Sequence, residues 1–184
     1  MLCYPVQCQQ GKEKMITSTD WIQELGLLPH PEGGYYREFY RSGHSLEAEV
    51  LPSGYKGRRS LGSIIYYLLT GNDFSAFHRL PADETWHFHY GSAFLLHLIS
   101  PGGIYSKVRL GMDVHVGEVP CHTIPAGYFF GAEVAEENSF ALASCTVMPG
   151  FSFEDLIMPG RDQLIGIFPD LSNEIMHLTR EKRS

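Results

Sequence analysis

From Tyr35 onward the chain alternates short runs of Val, Ile, Leu and aromatic residues with clusters of Gly, Pro, Asn and Asp, the pattern of short strands closed off by turns. The runs predict strands over 35–41, 60–69, 74–80, 85–90, 93–100, 104–110, 121–124, 128–134 and 139–147. Breaks fall between them at Gly71-Asn72-Asp73, Pro81-Ala82-Asp83, Gly91-Ser92, Pro101-Gly102-Gly103 and Pro125-Ala126-Gly127. Short strands at such even spacing predict an all-β closed barrel or jelly roll, because closure removes the edges that an open sheet would expose. Helical spacing appears only at the two ends. Trp21, Ile22, Leu25 and Leu28 recur behind the capping residues Ser18, Thr19 and Asp20, and Gly26 offers a stop. After Pro149-Gly150, residues 162–168 and 172–179 read as short helices packed outside the barrel. Residues 46–58 are the least patterned and read as a mobile loop.

A chain of 184 residues suffices for one domain with a sizeable core. The predicted organisation is a flexible tail over 1–17, a single domain over 18–179 and a frayed tail over 180–184. Hydrophobic residues make up 43% and charged residues 19%, so the chain has the apolar content to fold. Acidic residues outnumber basic ones by 21 to 14, and the net charge of -7 repels a phosphate backbone, which argues against nucleic acid as a partner. No apolar run reaches the roughly 18 residues of a spanning helix, and the first residues lack the basic start of a secretory signal. A cytoplasmic protein with no membrane partner is expected. Cys3, Cys8, Cys121 and Cys145 form no C-x-x-C pair and read as reduced thiols, the last two as small hydrophobes packed in strands.

Ionisable and aromatic residues are densest between Phe77 and Gly91. Read as a hairpin, the segment carries His78 and Leu80 on its first strand and Glu84, Trp86 and Phe88 on its second. Side chains alternate faces along a strand, so Glu84, Trp86 and Phe88 share one face while Thr85, His87 and His89 take the other. Turned into a barrel, Glu84 loses water, and His78 becomes its natural partner across the hairpin, an arrangement that shifts both pKa values and prepares an acid or a base. A purely structural ion pair has the same appearance in sequence. Gly33, Gly34, Gly91 and Gly127 match no phosphate-loop pattern and read as turn glycines. Arg37 and Glu38 read as a surface pair, with ligand contact as the alternative.

The spacing His78, Glu84, Gly91 resembles the first motif of the cupin superfamily, G-x(5)-H-x-H-x(3,4)-E-x(6)-G, and Pro125-Ala126-Gly127 resembles the centre of the second, G-x(5)-P-x-G-x(2)-H-x(3)-N. With His30-Pro31-Glu32-Gly33-Gly34-Tyr35 and Pro149-Gly150-Phe151-Ser152-Phe153, the stretch from about Trp21 to Phe153 resembles a widespread, functionally obscure cupin branch. By fold, that branch is grouped with the dTDP-4-dehydrorhamnose 3,5-epimerases. The resemblance implies a cupin double-stranded β-helix. Metal-binding cupins draw on two histidines and the glutamate of the first motif and the histidine of the second; here those places hold His78, Leu80, Glu84 and Phe130, and Asn72 replaces the leading glycine. Two donors hold a transition metal poorly.

The expected function is therefore binding of a small polar, carbohydrate-like metabolite in the barrel, with epimerisation or isomerisation by proton transfer. His78 is expected as general base and Glu84 as its orienting or acid partner, with Trp86, Phe88 and Phe130 excluding water and Tyr67 and Trp86 available to stack on a ligand ring. No cofactor is expected. The alternatives are a non-catalytic binding or storage-like cupin, and a divalent-metal enzyme whose donor set is completed by His87, His89, His97 or His122. The family implies a homodimer, and the strand face bearing Ile65, Tyr67 and Leu69 is the expected partner surface.

Overall fold

A computed structural model describes residues 15–180. The expectations for Cys3 and Cys8, and most of the two predicted tails, lie outside the described residues. Helix α1 (Ser18–Leu25) begins one residue before the expected caps: the Thr17 hydroxyl accepts from the Asp20 amide, and the Asp20 carboxylate accepts from the Thr17 amide. Gly26 closes it in the left-handed conformation. Twelve strands follow among the described residues: β1 (Leu28–Pro29), β2 (Tyr35–Arg41), β3 (Ser45–Leu46), β4 (Arg59–Ser60), β5 (Ser63–Thr70), β6 (Phe74–His78), β7 (Asp83–Gly91), β8 (Phe94–Ile99), β9 (Tyr105–Leu110), β10 (Cys121–Ile124), β11 (Phe129–Val134) and β12 (Phe140–Met148). Helices α2 (Arg161–Ile167) and α3 (Ser172–His177) complete the chain.

The strands form two antiparallel sheets, one in the order β1-β2-β5-β12-β7-β10 and the other β6-β11-β8-β9, with β3 and β4 paired separately. The architecture is the expected all-β cupin jelly roll. The expected run 60–69 is split, because Gly62 sits between β4 and β5 and packs against Met148. More important for the site, β6 and β7 are not a hairpin. They lie in different sheets, and residues 79–82 carry the chain from one sheet to the other.

Between the sheets, Trp86, Phe94, Leu96, Leu110, Phe130 and Ala143 form a dry core with Tyr67 and Leu69. Tyr67 and Leu69 thus face inward, which corrects the expectation that the face bearing Ile65, Tyr67 and Leu69 meets a partner; Ile65 packs against the same core. The outer face of β5 is covered instead by α1, whose Trp21, Ile22 and Leu25 pack on Leu68 and Leu142. Helices α2 and α3 pack Leu164, Ile175 and Leu178 against Phe77, Ile99 and Phe129 on the outside of the smaller sheet. Arg180, expected in a frayed tail, is tied down: its guanidinium donates to Asp73 at 2.6 Å and to the Phe74 carbonyl at 2.9 Å. The unpatterned stretch 46–58 holds a single 3-10 turn at Ala48–Val50.

Gly91, the glycine that closes the first motif, has φ +95°, and a Cβ there would lie 2.1 Å from the Phe140 carbonyl oxygen. Both the backbone conformation and the close approach of β12 demand glycine. Gly91→Ala is expected to destabilise the fold by on the order of 1–3 kcal/mol. Urea unfolding measures this, and an unchanged midpoint would show that β12 yields freely.

Candidate functional site

Three rows of side chains on the larger sheet define the inner surface. Ser63, Val147 and Glu84 stand in register across β5, β12 and β7; Ile65, Cys145 and Trp86 form the next row; Tyr67, Ala143 and Phe88 form the third. The third row belongs to the packed half of the barrel. The first two rows, with Tyr67 at their base, line a cavity of about 570 Å³. Tyr36, Phe151 and Phe153 wall its outer part. Arg41, Arg58 and Arg59 surround its mouth.

The deepest polar group was not singled out from sequence. The turn between β1 and β2 folds back into the barrel, where its Glu32 carbonyl accepts from the Ala76 amide at 2.9 Å and its Gly34 amide donates to Asp73 at 2.8 Å. Gly34 has φ +68°, and a Cβ there would lie 2.5 Å from the Leu68 carbonyl oxygen, so the turn depends on a residue without a side chain. This docking inserts the Glu32 side chain into the cavity floor. Its Oε1 lies 3.4 Å from His78 Nε2, and its Oε2 accepts from the Ser75 hydroxyl at 3.3 Å and lies 3.6 Å from His30 Nδ1. The available signal was a carboxylate held between a proline and two glycines, which fix its backbone so closely that a solvent role for it is wasteful.

His78 is therefore placed differently from expectation. Its carboxylate neighbour is Glu32 rather than Glu84, because β6 and β7 belong to opposite sheets. The imidazole is 1% exposed and does not line the cavity. Its Nδ1 is 2.8 Å from the Ala76 carbonyl, so Nδ1 carries the hydrogen and Nε2 is left to accept. Burial pulls its pKa down to about 3, and burial holds His30 at about 4, so both rings are neutral near neutral pH.

Glu84 does line the cavity, as expected. Burial lifts its pKa to about 7, opposed by hydrogen bonding from the Cys145 thiol and by the nearby Trp86 indole. The indole N–H, in a side chain only 2% exposed, completes no hydrogen bond of acceptable geometry, so it remains a donor in need of an acceptor. Burial also pushes the Cys145 thiol well up, and Glu84 adds to this. Cys145 packs in the core as expected and also lines the cavity. Burial and the Glu84 charge together raise Glu32 well above the ordinary carboxyl range. The Glu84 charge acts on Glu32, so the two carboxyl groups titrate as a coupled pair.

Of the other expected ligand contacts, Tyr67 and Trp86 line the cavity with ring centroids 5.2 Å apart, and the Tyr67 hydroxyl donates to the Gly33 carbonyl at 2.8 Å. Phe88 and Phe130 do not line it. Phe88 lies in the packed third row, and the Phe130 ring stands edge-on to His78 at 4.0 Å. Arg37 and Glu38 do not pair: Glu38 holds Arg41 through two hydrogen bonds of 2.8 and 2.6 Å, while Arg37 lies over the Tyr66 ring.

The chain fits the cupin metal set poorly. Leu80 and Phe130 offer no donor atom, and His78 spends Nδ1 on a carbonyl and turns Nε2 to Glu32. The histidines considered as substitutes lie elsewhere: His87 contacts Cys121 and Thr146, and His97 contacts Tyr105 and Glu133. His89 and His122 do not line the cavity. Among the described residues, no three His, Cys, Asp or Glu side chains are grouped so as to hold a metal ion. No helix among them is long and apolar enough to cross a membrane.

Residues 19–158 match the family model described as Cupin superfamily (DUF985). The chain belongs to this cupin family. Over 162 residues it is 31% identical to the uncharacterized protein YML079W of Saccharomyces cerevisiae, covering 78% of this chain and 76% of the yeast protein. It is also similar to the solved structures of protein SO0799 from Shewanella oneidensis and of a hypothetical protein from Leishmania major. The first has a TM-score of 0.81 and 37% identity, covering 91% of this chain and 100% of that one. The second has a TM-score of 0.82 and 35% identity, covering 90% of this chain and 100% of that one. Oxalate decarboxylase from Bacillus subtilis aligns at a TM-score of 0.51 and 15% identity over 84% of this chain and 37% of its own, a likeness of cupin fold alone.

The Glu84 pKa is linked to stability with a definite sign. A carboxyl whose folded pKa lies above its unfolded one binds more protons when folded, so the fold loses stability as pH rises from about 4.5 to about 7. His30 and His78 act oppositely: their depressed pKa values withdraw stability as pH falls below about 6.5. Wild-type stability mixes the two effects, but Glu84→Gln isolates the first. The variant is expected to gain stability over wild type between pH 5 and pH 8, by about 3 kcal/mol at most. Denaturant melts of both proteins across that range test it; a pH-independent difference would contradict the raised pKa.

Proposed function

We propose that this cupin binds a small polar, carbohydrate-like metabolite in the barrel cavity and moves a proton on it, as an epimerase or isomerase does. The supporting observation is a buried Glu32/Glu84 carboxyl pair, its two members differently supplied with donors, at the closed end of a cavity of ligand size. Glu84, with a pKa of about 7, is poised as general base near neutral pH, which reverses the roles expected of it and His78. The Glu84 carboxylate takes a proton from a carbon next to a carbonyl, while Glu32, held neutral, gives its proton to the carbonyl oxygen. When the enol turns its other face to Glu84, Glu84 returns its proton to carbon while the enol hydroxyl returns its proton to Glu32, which regenerates both groups and inverts the centre. His78 Nε2, an acceptor 3.4 Å from Glu32 Oε1, favours the protonated form of Glu32 that this step requires. Tyr36, Phe151 and Phe153 supply apolar walls that exclude water from the deep end.

Metabolites that raise the melting temperature identify candidate ligands, and NMR in deuterated water then reports exchange at carbon. Glu84→Gln is expected to slow the exchange by about two orders of magnitude or more while ligand binding persists. In wild type, kcat/KM should rise with pH through about 7 as Glu84 ionises. Exchange that survives unchanged in both Glu84→Gln and Glu32→Gln removes the catalytic assignment. A stabilising ligand recovered without exchange leaves the binding or storage reading.

A further inference from the structure

The charges around the cavity do not balance at its deep end. Each arginine at the mouth is already matched: Arg41 to Glu38 at 2.6 Å, Arg58 to Glu47 at 3.2 Å, and Arg59 to Asp155 at 2.6 Å. Glu154 adds a further carboxylate 3.4 Å from Arg59. The mouth therefore has no surplus positive charge with which to hold an anion. At the floor, Glu32 and Glu84 face only groups that stay neutral: His30 and His78 on one side, Cys145, Trp86 and Tyr67 on the other.

Glu84 is nevertheless furnished as a site for negative charge. The Cys145 thiol lies beside it, and the buried Trp86 indole N–H, still without an acceptor, is a donor that a small shift of the Glu84 carboxylate or a ligand atom would satisfy. The missing component is a countercharge, and none of the described residues lining the floor provides one. Ionising Glu84 in this desolvated space while Glu32 keeps its proton requires one cation beside it, since a buried charge persists only when paired. The aromatic walls suit such a cation, because the faces of Tyr36, Phe153 and Trp86 carry negative charge density.

We propose that the ligand of this cavity carries a protonated amine, which sits between Glu32 and Glu84 and supplies the missing positive charge. The inference rests on the cavity being the ligand site proposed above, and it narrows the metabolite to an amine-bearing one. An ammonium group donates a charge-assisted hydrogen bond to the Glu84 carboxylate and a second hydrogen bond to the neutral Glu32 carboxyl group, and its hydrocarbon neighbours contact the aromatic wall. A phosphorylated or otherwise anionic ligand would instead meet two buried acids and a mouth of balanced charge.

The test uses matched pairs that differ in charge but hardly in shape: butylammonium against 1-butanol, and choline against 3,3-dimethyl-1-butanol. Glucose and glucose 1-phosphate serve as a neutral and an anionic sugar. Thermal shift and calorimetry on the intact chain are expected to show stabilisation by an ammonium probe and at least tenfold weaker binding of its alcohol. Glu84→Gln should weaken the ammonium probe by about tenfold or more and remove most of its advantage over the alcohol, while Glu32→Gln, which keeps a carbonyl oxygen, should weaken it less. Glu84→Gln is expected to stabilise the fold, so loss of binding in it is not loss of folding. Equal binding of alcohol and ammonium, or no ammonium binding at tens of millimolar, overturns the amine assignment. If glucose alone binds and Glu84→Gln weakens it, the cavity reading stands and only the amine is wrong. If neither class of probe binds, both fall.

Discussion

Placing the Glu32 and Glu84 carboxyl groups in one water-poor space with no cation between them costs free energy that the surrounding barrel must offset. Much of the architecture around them serves that placement. The β1–β2 turn is locked by the Gly34 amide on Asp73, by the Tyr67 hydroxyl on the Gly33 carbonyl, and by the Glu32 carbonyl on the Ala76 amide. Asp73 in turn is held by Arg180, whose two hydrogen bonds to Asp73 and Phe74 tie the C-terminal segment to the start of β6. A carboxyl group free to swing would reach water and relax to an ordinary pKa; fixed backbone on both sides of Glu32 prevents it.

The two members of the pair are made unequal by what donates to them. Glu84 lies beside the Cys145 thiol and the Trp86 indole N–H that has no acceptor, while Glu32 has one long contact from Ser75 and the lone pair of His78 Nε2 on its other oxygen. A lone pair facing a carboxyl oxygen is favourable only if that oxygen carries a proton. The tautomer of His78 follows from the Ala76 carbonyl, so a backbone acceptor on β6 turns a lone pair rather than an N–H toward Glu32. The proposed division into an acid and a base rests on this asymmetry.

Much of the strand pattern was legible because each turn cluster ends a run of inward-facing apolar residues. The predicted strands over 35–41 and 121–124 coincide with β2 and β10, and the motif spacing of His78, Glu84 and Gly91 pointed to the correct superfamily. The relation between His78 and Glu84 was not legible. Four residues between two strands suggest a hairpin, yet in a jelly roll the same length crosses between sheets, and local sequence does not distinguish them. The site was thereby misread as a His78–Glu84 pair. Glu32 escaped notice for a related reason: its partners Ser75, Ala76 and His78 lie more than 40 positions away along the chain, and no periodicity links a turn to a distant strand.

The residues at the two other cupin donor positions explain why His78 can take part in this arrangement. Phe130 pairs with His78 across β11 and β6 and sets its ring edge-on to the imidazole at 4.0 Å, while Leu80 is buried in a separate apolar cluster with Ala82 and Val147. The Phe130 ring sets hydrocarbon against the imidazole, and burial of this kind favours the neutral ring. A histidine in the place of Phe130 would add a polar group that needs its own partner and would compete with Glu32 for the lone pair of His78. With Phe130 there, the only polar groups within reach of the imidazole among the described residues are the Ala76 carbonyl and Glu32. The Phe130 replacement that removes a donor atom from the barrel therefore leaves His78 buried and neutral with its Nε2 turned to Glu32, and the proposed difference between the two carboxyl groups rests on that lone pair.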